Sequence, residues 1–373
     1  MKKRILFLIH DLGGGGAEKV LVNLVNHLNK EKYEVYVVSL FGSGVNEKLL
    51  AKEIQYSFIW KKAFPGNSRI LKLIPAALLH RICVHKKYDV EIAYLEDICA
   101  KVISGGNPNK TKHICWVHTD LHDPKVSARG FKSFEESKKA FESFDKIVCV
   151  SDTVRKSFSG LYPGVKNAIT CYNTLETKKI LSLMDEPIQD VDFNLQEIKL
   201  IAVGKITKNK GFDRLAGIIK RLCDEEYPIH LYALGIGQDQ KSIEAYLEDN
   251  GITNHYTFLG YKENPYKYIA ASDLFVCASL AEGFSTAATE SLIVGTPVCT
   301  VEVSGMKEML GDNNEWGVVT ENDDESLYIG IKSFLDEPNK LIYYKERAME
   351  RGKLFSTENT VRSAEKIIED VLI

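Results

Sequence analysis

Two glutamates stand eight residues apart in the stretch AEGFSTAATESLIVGTP, Glu282 and Glu290. The preceding LFVCAS has the apolar, β-branched character of a buried strand. Glu282, Gly283 and Phe284 therefore fall on the turn that leaves it. Ser285 or Thr286 is placed to N-cap a helix that ends at Gly295, with Pro297 beyond. The amides of Thr286, Ala287 and Ala288 would open out of the helix start, where an anion is favoured and no bulky side chain intrudes. Glu282 lies on the loop and Glu290 about one turn into the helix, so the two reach different parts of a ligand. Carboxylates accept hydrogen bonds and suit hydroxyl groups. A ligand with sugar hydroxyls on both sides of a diphosphate, a nucleotide sugar, fits this arrangement.

Three other stretches carry chemistry of the same kind. VGKITKNKGFDRL places Lys205, Lys208 and Lys210 in a loop between a strand and a helix, a diphosphate clamp or a solvated basic loop. GGGGAEK leads from the first strand into the first helix, so the backbone at Gly14, Gly15 and Gly16 can approach a ligand closely. It lacks the Gly-Lys-Ser/Thr of a P-loop, and Lys19 stands where a dinucleotide fingerprint would have its third glycine. WVHTDLHD follows a strand with His118, Asp120, His122 and Asp123. Their spacing fixes no metal-ligand set, which favours a polar cluster over a metal site.

The elements that must position these groups alternate along the chain. RILFLIH, YEVYVVSL, DVEIAYL, KHICWVH and KIVCVS read as buried strands, as do KLIAVGK, IHLYALG, HYTFLG, LFVCAS and TPVCTV. Amphipathic helical patterns lie between them. Repeated strand and helix imply parallel sheets covered on both faces, with ligands beyond the carboxyl ends of the strands. A chain of 373 residues suggests two such domains, facing each other across a cleft. The acidic stretch MDEPIQDVDFNLQE is the expected linker, with domains at 1–185 and 186–355. A capping signal at Ser356 or Thr357 opens a last helix, 356–373.

Charge divides along the same line. Residues 1–185 carry 29 Lys+Arg against 19 Asp+Glu, and the remainder 19 against 32. Seven of those bases, and no acid, lie in SFIWKKAFPGNSRILKLIPAALLHRICVHKKY. Such a segment suits an anionic membrane surface or the basic outer face of an ordinary helix. No window approaches the roughly 18 apolar residues of a membrane span. The apolar run Ile5–Ile9 is too short for a signal peptide, so no cleaved leader is expected. Eight cysteines without CxxC spacing, mostly in apolar runs, predict buried free thiols in a reducing compartment.

Taken in order, GGGGAEK, WVHTDL, VSDTVRKSF, GKITKNKGF, GIGQ and the run FLGYKENPYKYIAASDLFVCASLAEGFSTAATESLIVGTPV resemble the retaining glycosyltransferases of family four. The likeness spans essentially the whole chain and is most specific from Phe258 to Pro297. It is strongest to bacterial members that build capsular, exopolysaccharide or lipid-linked glycans. The resemblance implies the GT-B fold of two Rossmann-like α/β domains, with no essential metal or other cofactor. It implies that Glu290 holds the nucleotide ribose and that Glu282 meets donor-sugar hydroxyls. Gly204, Gly235, Gly237, Tyr261 and the Gly283–Ala287 loop would complete the nucleotide-sugar site. Lys205 and Lys210 would neutralise the leaving diphosphate. Lys205 stands where the family more often has arginine, which keeps the charge and loses the bidentate fork. His118 would lie beside the donor sugar, and the Gly14–Gly16 loop would close over the diphosphate.

The function so implied is retaining transfer of a hexose or N-acetylhexosamine from a UDP-sugar to a glycan, a lipid-linked one above all. No nucleic acid is expected as a partner, and the place of action would be cytoplasmic, at the inner face of the cell membrane. A sugar-nucleotide epimerase of similar two-domain shape is the alternative enzyme. It needs acid/base groups at the sugar ring, and the Glu-x7-Glu spacing argues against it. A non-catalytic nucleotide-sugar binding protein would be expected to have lost part of a motif that stands whole here.

Overall fold

The computed structural model describes residues 2–42, 44–193 and 196–373. The chain divides into two compact units, Met1–Leu175 with Thr357–Ile373, and Glu176–Ser356.

The first unit is built on a seven-stranded parallel sheet. Its strands are β1 (Lys3–Ile9), β2 (Tyr33–Phe41), β3 (Gln55–Trp60), β4 (Val90–Ala93), β5 (Lys112–Val117), β6 (Lys146–Cys149) and β7 (Ala168–Thr170). They lie in the order β3-β2-β1-β4-β5-β6-β7. β1 is central, with Ile5 opposite both Val35 and Val90. Its residues Ile5 to Ile9 are fully buried because helices cover both faces of the sheet. Each contributes roughly 1.5–3 kcal/mol of burial. The chain leaves β1 and β4 in opposite directions, which opens a crevice beyond their carboxyl ends. The last helix, Thr357–Leu372, belongs to this unit and packs on the helix Gly16–His27. Thr357 Oγ1 donates to the Leu175 carbonyl at 2.6 Å, and Lys32 pairs with Glu369 at 2.8 Å.

The second unit repeats the plan with six parallel strands. These are β8 (Ile198–Val203), β9 (Ile229–Leu234), β10 (Tyr256–Gly260), β11 (Leu274–Cys277), β12 (Val298–Val301) and β13 (Val318–Thr320). Their order is β10-β9-β8-β11-β12-β13. Here the switch in direction falls between β8 and β11, so their two exit loops flank one crevice. Leu200, Ala202, Leu231, Ala233 and Val276 form the centre of the core.

The ten strands expected from apolar runs are all present. The structure adds β3, β7 and β13, each an edge strand, and their burial is correspondingly incomplete. The second unit begins at Glu176 rather than at 186. The reason is the helix Thr177–Met184, which packs on the helices Tyr266–Ala271 and Thr286–Val294 of that unit. The acidic stretch after it is not a free linker. Asp190 pairs with Lys262 at 2.5 Å and accepts from the Tyr268 hydroxyl at 2.7 Å, which holds its carboxyl down at about 2. Phe193 stacks on Tyr232 with ring centroids 4.3 Å apart. Asn194 and Leu195 of that stretch lie outside the described residues.

The acid-free segment is a strand followed by two short helices. β3 is followed by Asn67–Leu73 and Ala76–Cys83, which Pro75 separates. All eight cysteines are free thiols, and all but Cys223 are buried. No helix among the described residues is long and apolar enough to cross a membrane.

Candidate functional site

The helix Thr286–Val294 is packed from several sides, by the helices Pro338–Gly352, Tyr266–Ala271 and Thr177–Met184. This packing buries every residue from Ala288 to Val294, Glu290 included. Ser285 is the N-cap: its Oγ accepts from the Ala288 amide at 3.3 Å. That bond removes Ala288 from the set of open amides. Thr286 and Ala287 keep theirs, which take no hydrogen bond among the described residues. Phe284 is buried with its ring against Phe355, so its side chain anchors the loop and does not face a ligand. Glu290 is buried on the second turn, and the Tyr266 hydroxyl donates to its Oε1 at 3.4 Å.

The loops leaving β8 and β11 are fastened to each other. Leu280 N donates to the Asn209 carbonyl at 2.8 Å, and Asn209 Nδ2 donates to the Ala281 carbonyl at 3.0 Å. Gly211 has φ 68°, and a Cβ there would lie 2.1 Å from the Ala278 carbonyl oxygen. A side chain at this position would push the two loops apart. Lys210 and Glu282, 72 residues apart, are thereby brought into an ion pair of 2.5 Å. Ser279 Oγ donates to the same Glu282 oxygen at 2.7 Å. Lys208 is committed to Asp213 at 2.5 Å, whereas the exposed Lys205 has no carboxylate partner among the described residues.

The remaining expected positions of this unit lie at the same end of the sheet. Gly204 and Gly235 end β8 and β9, and a Cβ on Gly235 would lie 1.8 Å from the Gly204 carbonyl oxygen. Gly237 has the same close relation to the Ile206 carbonyl. Tyr261, directly after β10, is 72% exposed and presents a free aromatic face. The crevice thus gathers two free amides, two lysines and two carboxylates on a framework of close backbone contacts. Oxygen-rich anions and sugar hydroxyls are the groups such a set binds.

In the first unit, Gly15 N-caps the helix Gly16–His27 without a side-chain bond, and Gly14 precedes it. Glu18 folds back over this helix start: a Cβ on Gly15 would lie 2.1 Å from its Oε2. Burial pushes the Glu18 carboxyl up. The amide cluster expected to meet an anion therefore already has a carboxyl beside it. His118 follows β5, with its ring 4.9 Å from that of Tyr94 and its amide donating to Glu96 Oε2 at 3.1 Å. Its Nε2 is buried without a partner, and burial lowers the imidazole pKa to about 4. At neutral pH the ring is uncharged and offers a hydrogen bond, not a charge. Asp120 pairs with His122 at 2.9 Å, and Asp123 caps the helix Pro124–Ser127. No group of metal-binding side chains is present among the described residues.

Sequence reasoning missed Ser279, Asn209 and Gly211 in the second unit and Glu96 in the first. Their signal was position alone: each lies a few residues beyond a strand end. Glu96 is buried after β4, its carboxyl pushed up by desolvation, and it orients the His118 backbone.

Known proteins share the fold. Residues 14–174 match the model of Glycosyltransferase Family 4, and residues 184–351 match that of Glycosyl transferases group 1. The N-acetylgalactosamine-N,N'-diacetylbacillosaminyl-diphospho-undecaprenol 4-alpha-N-acetylgalactosaminyltransferase of Campylobacter jejuni is 27% identical, over 99% of this chain and 100% of that protein. The lipopolysaccharide core biosynthesis glycosyltransferase LpsE of Rhizobium meliloti is 23% identical, over 91% of this chain and 89% of its own. HepE of Anabaena, solved in complex with UDP, matches with a TM-score of 0.78 at 15% identity, over 99% of this chain and 100% of that one. With both models matched in succession and the same pair of Rossmann-like sheets in its solved neighbours, the chain belongs to glycosyltransferase family 4 and has the GT-B fold.

Proposed function

We propose that this glycosyltransferase moves a hexose or N-acetylhexosamine, with retention, from a UDP-sugar to a lipid-linked glycan in bacterial surface polysaccharide biosynthesis. The observation that carries the reading is the crevice between β8 and β11. Lys205, Lys210 and the free amides of Thr286 and Ala287 there suit a diphosphate, with Glu282 and Glu290 on either side for hydroxyl groups. The Campylobacter relative, named for a diphospho-undecaprenol-linked substrate, supports the acceptor class. The UDP complex of HepE supports the nucleotide.

In this reading Glu290 accepts from the ribose and Glu282 from the donor sugar. Breaking the anomeric C–O bond leaves charge on the diphosphate, which Lys205, Lys210 and the helix start stabilise. The acceptor oxygen bonds to the anomeric carbon on the face that the diphosphate leaves, and its proton passes to a phosphate oxygen. The uncharged His118 serves as a hydrogen-bonding group at the sugar. The test is incubation with a panel of UDP-sugars and a polyprenyl-diphosphate-linked saccharide, with the product's anomeric configuration read by NMR. Retained configuration and activity that survives EDTA are expected. Loss on chelation that Mn²⁺ or Mg²⁺ restores would overturn the metal-free role given to the lysines. Inertness toward every UDP-sugar would overturn the donor class.

A lipid-linked acceptor stays in the bilayer, so the enzyme must reach its surface. The acid-free segment supports this step. Phe58, Ile70, Leu73 and Leu78 are exposed there beside the exposed Lys61, Lys62, Arg69 and Arg81. From below, the buried Lys101 ammonium bonds the Lys72 carbonyl and pairs with Glu136 at 3.1 Å, which holds the helix Asn67–Leu73 in place. Each basic residue near an anionic bilayer contributes roughly 1 kcal/mol, screened by salt. Replacing Lys61, Lys62, Arg69 and Lys72 with glutamine should lower co-sedimentation with anionic vesicles and leave UDP affinity intact. Equal binding to neutral and anionic vesicles, or none to either, would count against a membrane-docked enzyme.

A further inference from the structure

We propose that Glu282 competes with the diphosphate for the ammonium of Lys210. It holds that ammonium in the empty site and reclaims it as UDP departs, with Ser279 the positioning residue that keeps the carboxylate in place. The inference rests on the reading of the β8–β11 crevice as a nucleotide-sugar site.

The argument starts from the three lysines of the β8 loop. Lys208 is occupied by Asp213, which sits on the following helix. Lys205 is exposed and pairs with no carboxylate among the described residues, so it meets an incoming anion without breaking an ion pair. Lys210 differs from both. Its ammonium already has a carboxylate at 2.5 Å, supplied by the loop that carries the free helix amides. The contact is built into the backbone, since the Asn209 bonds and the Gly211 approach fasten the two loops together. The stem of Lys210 runs past Gly204, where a Cβ would lie 3.7 Å from its Cδ. With side chains 30% and 11% exposed, the pair is screened less than a surface ion pair.

Glu282 is used asymmetrically. Oε1 receives both the Lys210 ammonium and the Ser279 hydroxyl, while Oε2 receives nothing among the described residues. Ser279 is itself buried, with Cys277 Sγ 3.4 Å from its Oγ. One oxygen is thus fixed on the lysine and the other left for a ligand hydroxyl. A diphosphate that takes Lys210 must draw it from Oε1 or share it. Sharing matters most after transfer. The UDP left behind ends in a phosphate monoester, which carries more charge than the sugar-esterified diphosphate, and it grips the lysines harder. A fixed carboxylate competing for one of those lysines weakens that grip and favours release.

Isothermal titration with UDP, at low and high salt, tests the proposal without knowledge of the donor sugar. Glu282→Gln should bind UDP about five- to tenfold tighter, the scale of one partly buried ion pair. Ser279→Ala should tighten UDP by a smaller factor, and Ser279→Thr should restore the wild-type value. A merely structural Ser279 would lower the melting temperature and leave UDP affinity unmoved. In a Lys210→Met background the gain from Glu282→Gln should largely vanish. If the gain persists there, Glu282 acts by direct repulsion and the competition is overturned. Unchanged or weaker UDP binding by folded Glu282→Gln would overturn the inference alone. Absence of UDP binding by the wild type would overturn the nucleotide-sugar reading and the inference with it.

Discussion

Lys210→Met is expected to lower turnover by about two to three orders of magnitude, the usual scale for removing a group that stabilises developing charge. In the proposed reading, scission of the anomeric bond concentrates negative charge on the diphosphate beside this lysine. Lys210 reaches the crevice from a fixed loop, so in the proposed reading its ammonium has only to turn from Glu282 toward the leaving group. The loss in kcat should exceed the loss in UDP affinity, because only the transition state carries the extra charge. Lys205 is exposed and less constrained, and Lys205→Met should cost less. Steady-state kinetics with donor and acceptor decides the matter. A kcat for Lys210→Met within a few-fold of wild type would remove this lysine from the leaving-group role.

Glu290→Ala should weaken UDP by about 1.5–3 kcal/mol, the range for hydrogen bonds to a charged group. The carboxylate is buried on a helix packed from several sides, so its direction is set before any ligand arrives. Truncation would leave ribose hydroxyls and the Tyr266 hydroxyl facing a gap. Uridine should lose affinity by a similar factor, because the lost contacts are to the ribose and not to phosphate. Calorimetry with UDP and uridine reads both, and circular dichroism confirms the fold. A folded Glu290→Ala protein with wild-type uridine affinity would refute the ribose assignment. The two glutamates of the motif should therefore move UDP affinity in opposite directions when neutralised.

The central strands were legible because a parallel sheet covered on both faces needs continuous apolar runs, and ILFLI or LIAV is hard to read otherwise. Of the edge strands, β10 was legible from HYTFLG, and β3, β7 and β13 were not. β3 reads QYSFIW and is largely exposed, and β7 and β13 have three residues each. A strand with one neighbour that is also largely exposed or only three residues long buries too little surface to leave a pattern. The boundary at Glu176 was hidden for a related reason. An acidic, proline-containing stretch looks like a linker in isolation, yet the side chains of Asp190 and Phe193 find partners on strands and helices that come later in the chain.

The site divides in the same way. Local sequence determined the Ser285 cap, the Gly295 stop, the strand-to-helix loops and the residue types at them, since caps and turns are set by neighbours a few positions away. It also determined the charge available to each unit. Tertiary structure decided how those charges are spent. It closed the His118 ring nitrogen off from solvent, which lowers the imidazole pKa to about 4. It also joined Lys210 to Glu282 across 72 residues of chain. These outcomes depend on which loops meet at a switch in strand order, and on how far solvent is excluded there. Both are properties of the packed sheet and of no single stretch of residues.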